Sequence, residues 1–164
     1  MDQDEPKYGT YTDLKTEERL LIDAAAAAMK TAYSPYSKFS VGAALLTKDG
    51  EIVEGSNVEN AAYGSTICAE RVALLAANAK GKRNFVAMAI ITKPEGGQTE
   101  TPAAPCGACR QMLFEASQVG GSDIKILLSN TKKDKILITS VRKILPLAFG
   151  PADLGVDISK YSKG

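Results

Sequence analysis

Apolar and polar positions change period several times along the chain, and each change marks an element. From Leu20 and Leu21 through the alanine run at 24–28 to Met29, apolar residues recur at helical spacing. Thr16 stands where an N-cap is wanted, and Glu17 with Glu18 suits the positive end of the helix dipole. The alanine run either makes a close-packing face for a neighbouring copy or simply propagates a helix well, and the second reading is preferred. Tyr33-Ser34-Pro35-Tyr36-Ser37 stops this helix, because proline and the residue before it resist helical geometry. Residues 41–47 and 52–56 read as strands joined by a tight turn at Asp49-Gly50. A polar loop at 57–64 follows, then a second helix over 68–78 with one apolar face. Beyond a basic turn at 80–84, residues 86–92 form an apolar run of strand type, and the Gly-, Thr- and Pro-rich 94–104 is a loop. Pro105 opens a third helix through 116, predicted in the first turn, where its missing N–H costs nothing. Strands at 124–129 and 136–139 and a short helix at 141–145, stopped by Pro146, complete the pattern. Residues 1–15 are polar, without sustained period, and are expected to be an extended or mobile extension ahead of one domain spanning 16–158. This order predicts an α/β fold: a three-layer α/β/α sandwich around a mixed five-stranded sheet.

A length of 164 residues with 45% hydrophobic and 24% charged residues suits one domain with a single core. The formal net charge of +1 gives no reason to expect nucleic acid or an anionic membrane as a partner. No apolar run approaches the ~18 residues of a membrane span. The N-terminus is acidic and polar where a signal peptide would be basic and then apolar. Three cysteines, an odd number grouped around one Cys-x-x-Cys, suit a reduced compartment and a metal, so a cytoplasmic location is expected.

The chemistry sits in two stretches, Thr66-Ile67-Cys68-Ala69-Glu70-Arg71 and Pro105-Cys106-Gly107-Ala108-Cys109-Arg110. Cys68, Cys106 and Cys109 are the only cysteines, and histidine is absent. A Cys-x-Glu followed by Pro-Cys-x-x-Cys is the pattern of zinc-dependent nucleobase deaminases. Three thiolates hold Zn²⁺ and leave the fourth tetrahedral position for water, whereas a structural site would want a fourth protein ligand that only an Asp or Glu here could supply. A structural zinc or a redox thiol is therefore the weaker alternative. Both stretches run from a strand into a helix, and helix N-termini favour thiolate over thiol. Glu70, two residues from a ligand, is the candidate proton carrier; its plainer reading is a helix-start carboxylate.

From about Leu20 to Leu154 the chain resembles the small homotetrameric cytidine deaminases. The resemblance also rests on 32–37, Phe39-Ser40-Val41-Gly42-Ala43-Ala44-Leu45, Asn57-Val58-Glu59-Asn60-Ala61-Ala62-Tyr63-Gly64 and Leu145-Pro146-Leu147-Ala148-Phe149-Gly150-Pro151. The interval between Cys68 and Cys106 is a little longer than usual in the family, and 1–15 lies outside the family core. The resemblance implies hydrolysis of cytidine and deoxycytidine to uridine and deoxyuridine, with Zn²⁺ as cofactor and a homotetramer with shared active sites. It implies that Glu70 takes a proton from water at the metal and passes it to the pyrimidine N3 and the departing amine. Asn57 and Glu59 resemble the ribose clamp; being two apart in an extended loop, they point to one side. Without the resemblance they would equally be solvated loop residues. Phe39 resembles the aromatic that packs on the base, Ala61 and Ala69 would contribute backbone groups, and Tyr63 and Phe149 would line the site, Phe149 from a neighbouring subunit. Each aromatic has an ordinary core reading beside it.

Charge counting singles out Arg71. Three thiolates on Zn²⁺ leave a net negative centre, and a guanidinium donating to the sulfurs restores Lewis acidity, as the arginine after the glutamate does in this family. Arg110 could do the same but reads better as an exposed helix residue. Another aminohydrolase of the same fold, such as blasticidin-S deaminase, is the near rival; the Asn57/Glu59 pair and the Phe149 block favour a nucleoside. A polynucleotide deaminase would want a basic, aromatic-lined track. A non-catalytic zinc-stabilised domain would have no use for Glu70.

Overall fold

The structure, a computed structural model, describes residues 7–162. Its sheet has six strands in the order β1 (Lys7–Gly9), β6 (Ile136–Ser140), β5 (Lys125–Ser129), β4 (Phe85–Pro94), β2 (Phe39–Thr47) and β3 (Ile52–Ser56). Only β4 and β5 run parallel; the other neighbours are antiparallel. Side chains alternate along each strand, so Ala43, Leu45, Met88 and Ile90 face one layer and Ala44, Ala87, Ala89 and Ile91 the other. The continuous apolar run of β4 follows, since a central strand covered on both faces has no solvent side.

One layer is α1 (Thr16–Ala28), which sets Leu21, Ile22 and Ala25 on the sheet. The other layer is α2 (Ala69–Ala79) with α3 (Gly107–Gly120). The alanine run packs α1 onto its own sheet: a Cβ built on Gly42 of β2 would lie 2.0 Å from the Ala25 carbonyl oxygen and 2.6 Å from the Met29 nitrogen. On the other face, a Cβ on Gly55 of β3 would meet the Ala73 nitrogen at 2.4 Å and the Ala69 oxygen at 2.5 Å, so α2 is seated equally close.

Several boundaries differ from the sequence expectation. The sheet has six strands rather than five because Lys7–Gly9 pairs with β6, Tyr8 opposite Leu137. The 7–15 part of the polar extension is thus built into the fold, with Leu14 buried and the Tyr11 hydroxyl donating to Asp23 at 2.6 Å. Residues 1–6 lie outside the described residues. Lys15, not Thr16, is the N-cap of α1, and its N–H donates to the Glu18 carboxylate at 2.9 Å. Pro105 precedes the N-cap of α3 and is buried there, so its value lies in the carbonyl it offers rather than in a missing first-turn N–H. Val141–Ile144 forms the short helix α4. Among the described residues no helix is long and apolar enough to cross a membrane.

The topology decides where the cysteines meet. β3 and β4 flank β2, both antiparallel to it, and therefore point the same way. α2 follows β3 and α3 follows β4 on one face of the sheet, so both helices begin at the same end. Ligand sites of α/β sheets form outside the carboxyl ends of such strands.

Candidate active site

Cys68 is the N-cap of α2, Cys106 the N-cap of α3, and Cys109 lies in the first turn of α3. The Cys68 and Cys106 sulfurs are 3.9 Å apart and those of Cys106 and Cys109 3.4 Å, with all three within 4.8 Å of one another. Three sulfurs about 2.3 Å from a tetrahedral centre lie ~3.8 Å apart, so the set fits a single zinc ion. No other cluster of three or more metal-ligating side chains occurs among the described residues.

Glu70, the second residue of α2, is buried at 4% exposure. That burial pushes its carboxyl above the ordinary value, against the opposing help of backbone N–H, the Cys109 thiol and Arg71. Cys68 is held down to about 5 by hydrogen bonds from the Cys109 thiol and the Arg71 guanidinium, while Cys109, hydrogen-bonded to Cys68 and buried, is pushed up. Arg71 donates from Nη2 to the Thr66 carbonyl at 3.2 Å and to the Cys68 sulfur at 3.7 Å. Its buried Nε has no partner among the described residues.

The segment leading into Cys68 is braced on both sides. Val58 and Ile67 exchange backbone hydrogen bonds at 3.0 and 2.9 Å, and Tyr33 bonds Asn57 and Glu59 in the same way at 3.0 and 2.8 Å. Asn57 is buried at 7% exposure, which removes the solvated-loop alternative. Its Oδ1 accepts from the Val41 N–H at 2.8 Å and its Nδ2 donates to the Phe39 carbonyl at 2.9 Å, prolonging the β2–β3 ladder with a side chain. One amide hydrogen and one lone pair remain for another partner. Glu59 accepts from the Tyr36 N–H at 2.8 Å and the Ser37 N–H at 3.2 Å. Ser37, aided by the Tyr36 N–H, holds its carboxyl below the ordinary value against burial. Asn57 and Glu59 thus both reach toward the approach to β2.

Phe39 is half-buried at the start of β2, Ala69 fully buried, and Ala61 exposed on the loop. Tyr63 is 75% exposed and meets the Tyr36 ring edge-on, centroids 5.8 Å apart. Phe149 is exposed, and its carbonyl accepts from Gln111 Nε2 at 2.8 Å. Arg110 is not an idle surface residue: its Nε donates to the Pro105 carbonyl at 2.8 Å and its Nη1 to the Ile144 carbonyl at 3.0 Å, tying the start of α3 to α4. The sequence assigns no site role to Tyr36, Ser37 and Gln111, because Tyr36 and Ser37 act here through backbone amides and Gln111 on a backbone carbonyl, contacts that leave no side-chain signature.

Comparison with known proteins agrees with this arrangement. Residues 15–120 match the cytidine and deoxycytidylate deaminase zinc-binding region. The chain is 45% identical over 138 residues to a cytidine deaminase of Halalkalibacterium halodurans, covering 84% of this chain and 98% of that one. It is 41% identical over 123 residues to the cytidine deaminase of Mycobacterium tuberculosis, covering 75% and 82%. The crystal structure of cytidine deaminase from Burkholderia pseudomallei superposes with a TM-score of 0.72 at 46% identity, covering 83% of this chain and all of that one.

Proposed function

The chain belongs to the cytidine and deoxycytidylate deaminase family, and from that premise we propose that it hydrolyses cytidine and deoxycytidine to uridine and deoxyuridine, releasing ammonia, as a step of pyrimidine salvage. The observation that carries this reading is a buried carboxylate, Glu70, beside Cys109 in a set of three sulfurs spaced for one metal ion. Zinc held by Cys68, Cys106 and Cys109 supplies Lewis acidity and lowers the pKa of water.

Glu70 is the one group asked to be base and then acid. It accepts a proton as water adds to C4, delivers it to N3, and carries the next proton to the exocyclic amine as the C4–N bond breaks. Its burial in a dry environment strengthens each of these exchanges. Arg71 holds the Cys68 sulfur and offsets the negative charge of three thiolates. Asn57, with one hydrogen and one lone pair to spare, and Glu59, already steadied by Tyr36 and Ser37, bind the ribose hydroxyls. Phe39 packs against the base, Ala61 and Ala69 offer backbone groups, and Tyr63 walls the site.

The working unit is a homotetramer in which Phe149 completes a neighbour's site. Supporting this, Phe149 and Leu147 are exposed apolar residues, and Leu147 is held in the left-handed region at φ 57° with its side chain wholly outside. A cytoplasmic location fits three unpaired cysteines gathered for a metal.

Ammonia release measured with cytidine, deoxycytidine and free cytosine tests the assignment. The nucleosides should turn over and cytosine should be far poorer, since the ribose contacts are lost. Equal turnover of cytosine would remove Asn57 and Glu59 from the clamp, and no turnover by zinc-loaded protein would reduce the site to a structural one. Sedimentation of active protein as a monomer would refute the shared site.

A further inference from the structure

On the sheet face opposite the cysteines, the end of α1, the start of β2 and the turn at 94–98 border an open cleft of about 570 Å³. That is within the range of small-ligand sites. Lys30, Lys38, Lys93 and Lys133 all line it, and among the described residues Glu95 is the only carboxylate that does. Lys133 is already paired with Asp23 at 2.5 Å. The other three lysines make no ion pair among the described residues. A concavity that gathers more positive than negative charge pays in self-repulsion and draws anions in.

The walls are fixed rather than loose. The Glu95 N–H donates to the Lys38 carbonyl at 2.7 Å, and the Lys38 N–H to the Ser34 carbonyl at 3.1 Å. Farther along, Thr99 and Thr131 exchange N–H to hydroxyl bonds, each 3.0 Å, pinning the 94–104 loop to the β5–β6 connection. Lys38 and Lys133 sit at φ 59° and 58°, left-handed conformations that side chains rarely adopt. Two of the four lysines are therefore held in place at a conformational cost, which is a recurrent mark of binding sites. Ser34 and Ser40 line the same space, their hydroxyls hydrogen-bonded to each other at 3.3 Å with one O–H left to donate, and Met29 and Ile91 give it an apolar floor.

We infer that this cleft binds an oligophosphate anion, either a free phosphate chain or that of a nucleotide. Three lysines without an ion pair among the described residues, spread around such a volume, suit an extended anion better than a single small ion. Lysine serves phosphate as a point charge, without demanding the planar geometry arginine prefers. The 94–104 loop thereby acquires a use: it supplies Glu95, Gly96 and Gln98 to the rim, beside Lys93 at the end of β4.

The test is calorimetric titration of the zinc-loaded full chain with inorganic triphosphate and, separately, with a nucleoside triphosphate, at low and at moderate salt. One site per chain is expected, weakening as salt screens the lysines. Lys30→Gln with Lys93→Gln should weaken binding at least about tenfold, whereas Lys143→Gln with Lys160→Gln, the same loss of charge elsewhere, should leave it unchanged. Cytidine turnover reports that both double variants are folded. A nucleotide that binds more tightly than triphosphate makes the apolar floor a base or sugar subsite; equal affinity assigns the phosphate chain alone. Absence of binding, or binding equally affected by both double variants, overturns the proposal.

Discussion

Glu70 and Arg71 are adjacent in the chain, yet substitution should separate them cleanly. Glu70→Gln removes the carboxylate proposed to carry the proton but keeps a polar group of the same shape beside Cys109, so zinc content and melting should stay near normal. Turnover should fall at least ~10²-fold, the scale of a general acid–base group; near-normal turnover would take Glu70 out of the chemistry. Arg71→Gln acts on the sulfurs instead, through the 3.7 Å contact to Cys68. Its zinc affinity, measured by competition with a chelator, should fall about 10–100-fold, and unchanged affinity would leave Arg71 a mere brace for the Thr66 carbonyl. The three-sulfur cluster was legible in the sequence because three cysteines without histidine admit few chemistries. The partners of Asn57 and Arg110 were not. Each bonds main-chain atoms, Asn57 on β2 some 16 to 18 residues upstream and Arg110 on a helix 34 residues downstream, and residue type does not announce such a contact.

Among elements, the seating of α2 on β3 carries the site, since this helix bears Glu70 and Arg71 and is capped by Cys68. Gly55→Ala would press a methyl group onto backbone of α2 that cannot swing aside as a side chain can. Unfolding by denaturant should show a loss of about 1–3 kcal/mol, as for overpacked cores, with weaker zinc retention because Cys68 moves; an unaffected midpoint would mean the helix shifts freely. At the start of α1, burial alone would raise the Glu18 carboxyl, but Lys125 at 2.8 Å and the Lys15 N–H outweigh it and hold it below the ordinary value. Its stabilisation is therefore full above the unfolded glutamate pKa and lost as pH falls through the lower folded value. Glu18→Gln should be the less stable protein at neutral pH, and the gap in melting temperature should close on acidification. A gap that ignores pH would assign the effect to the cap alone. Long periodic elements were readable from the chain to within a few residues. β1 was not, because three residues carry no period, and the α1 cap slipped by one because Thr16 was the better capping residue in isolation.

At the scale of the molecule, the sheet order explains how segments far apart in the chain come to share one centre, and the same fact has a mechanical side. Cys68 and Cys106 are 38 positions apart. A metal gripping both is a cross-link, and by the loop-closure reckoning used for disulfides a link of that span restrains the unfolded chain by about 4 kcal/mol. The cofactor is then a rivet as well as a reagent, and binding free energy becomes folding free energy. Calorimetry with and without a chelator should show the melting temperature dropping on zinc removal, and dropping in Glu70→Gln as well, although that protein has little turnover to lose. A melting temperature indifferent to zinc would mean that α2 and α3 hold their places without it. If the rivet holds, proteases offered the stripped protein should cut first in the two connections it clamps, 57–67 and 95–105, while the sheet behind them stays whole.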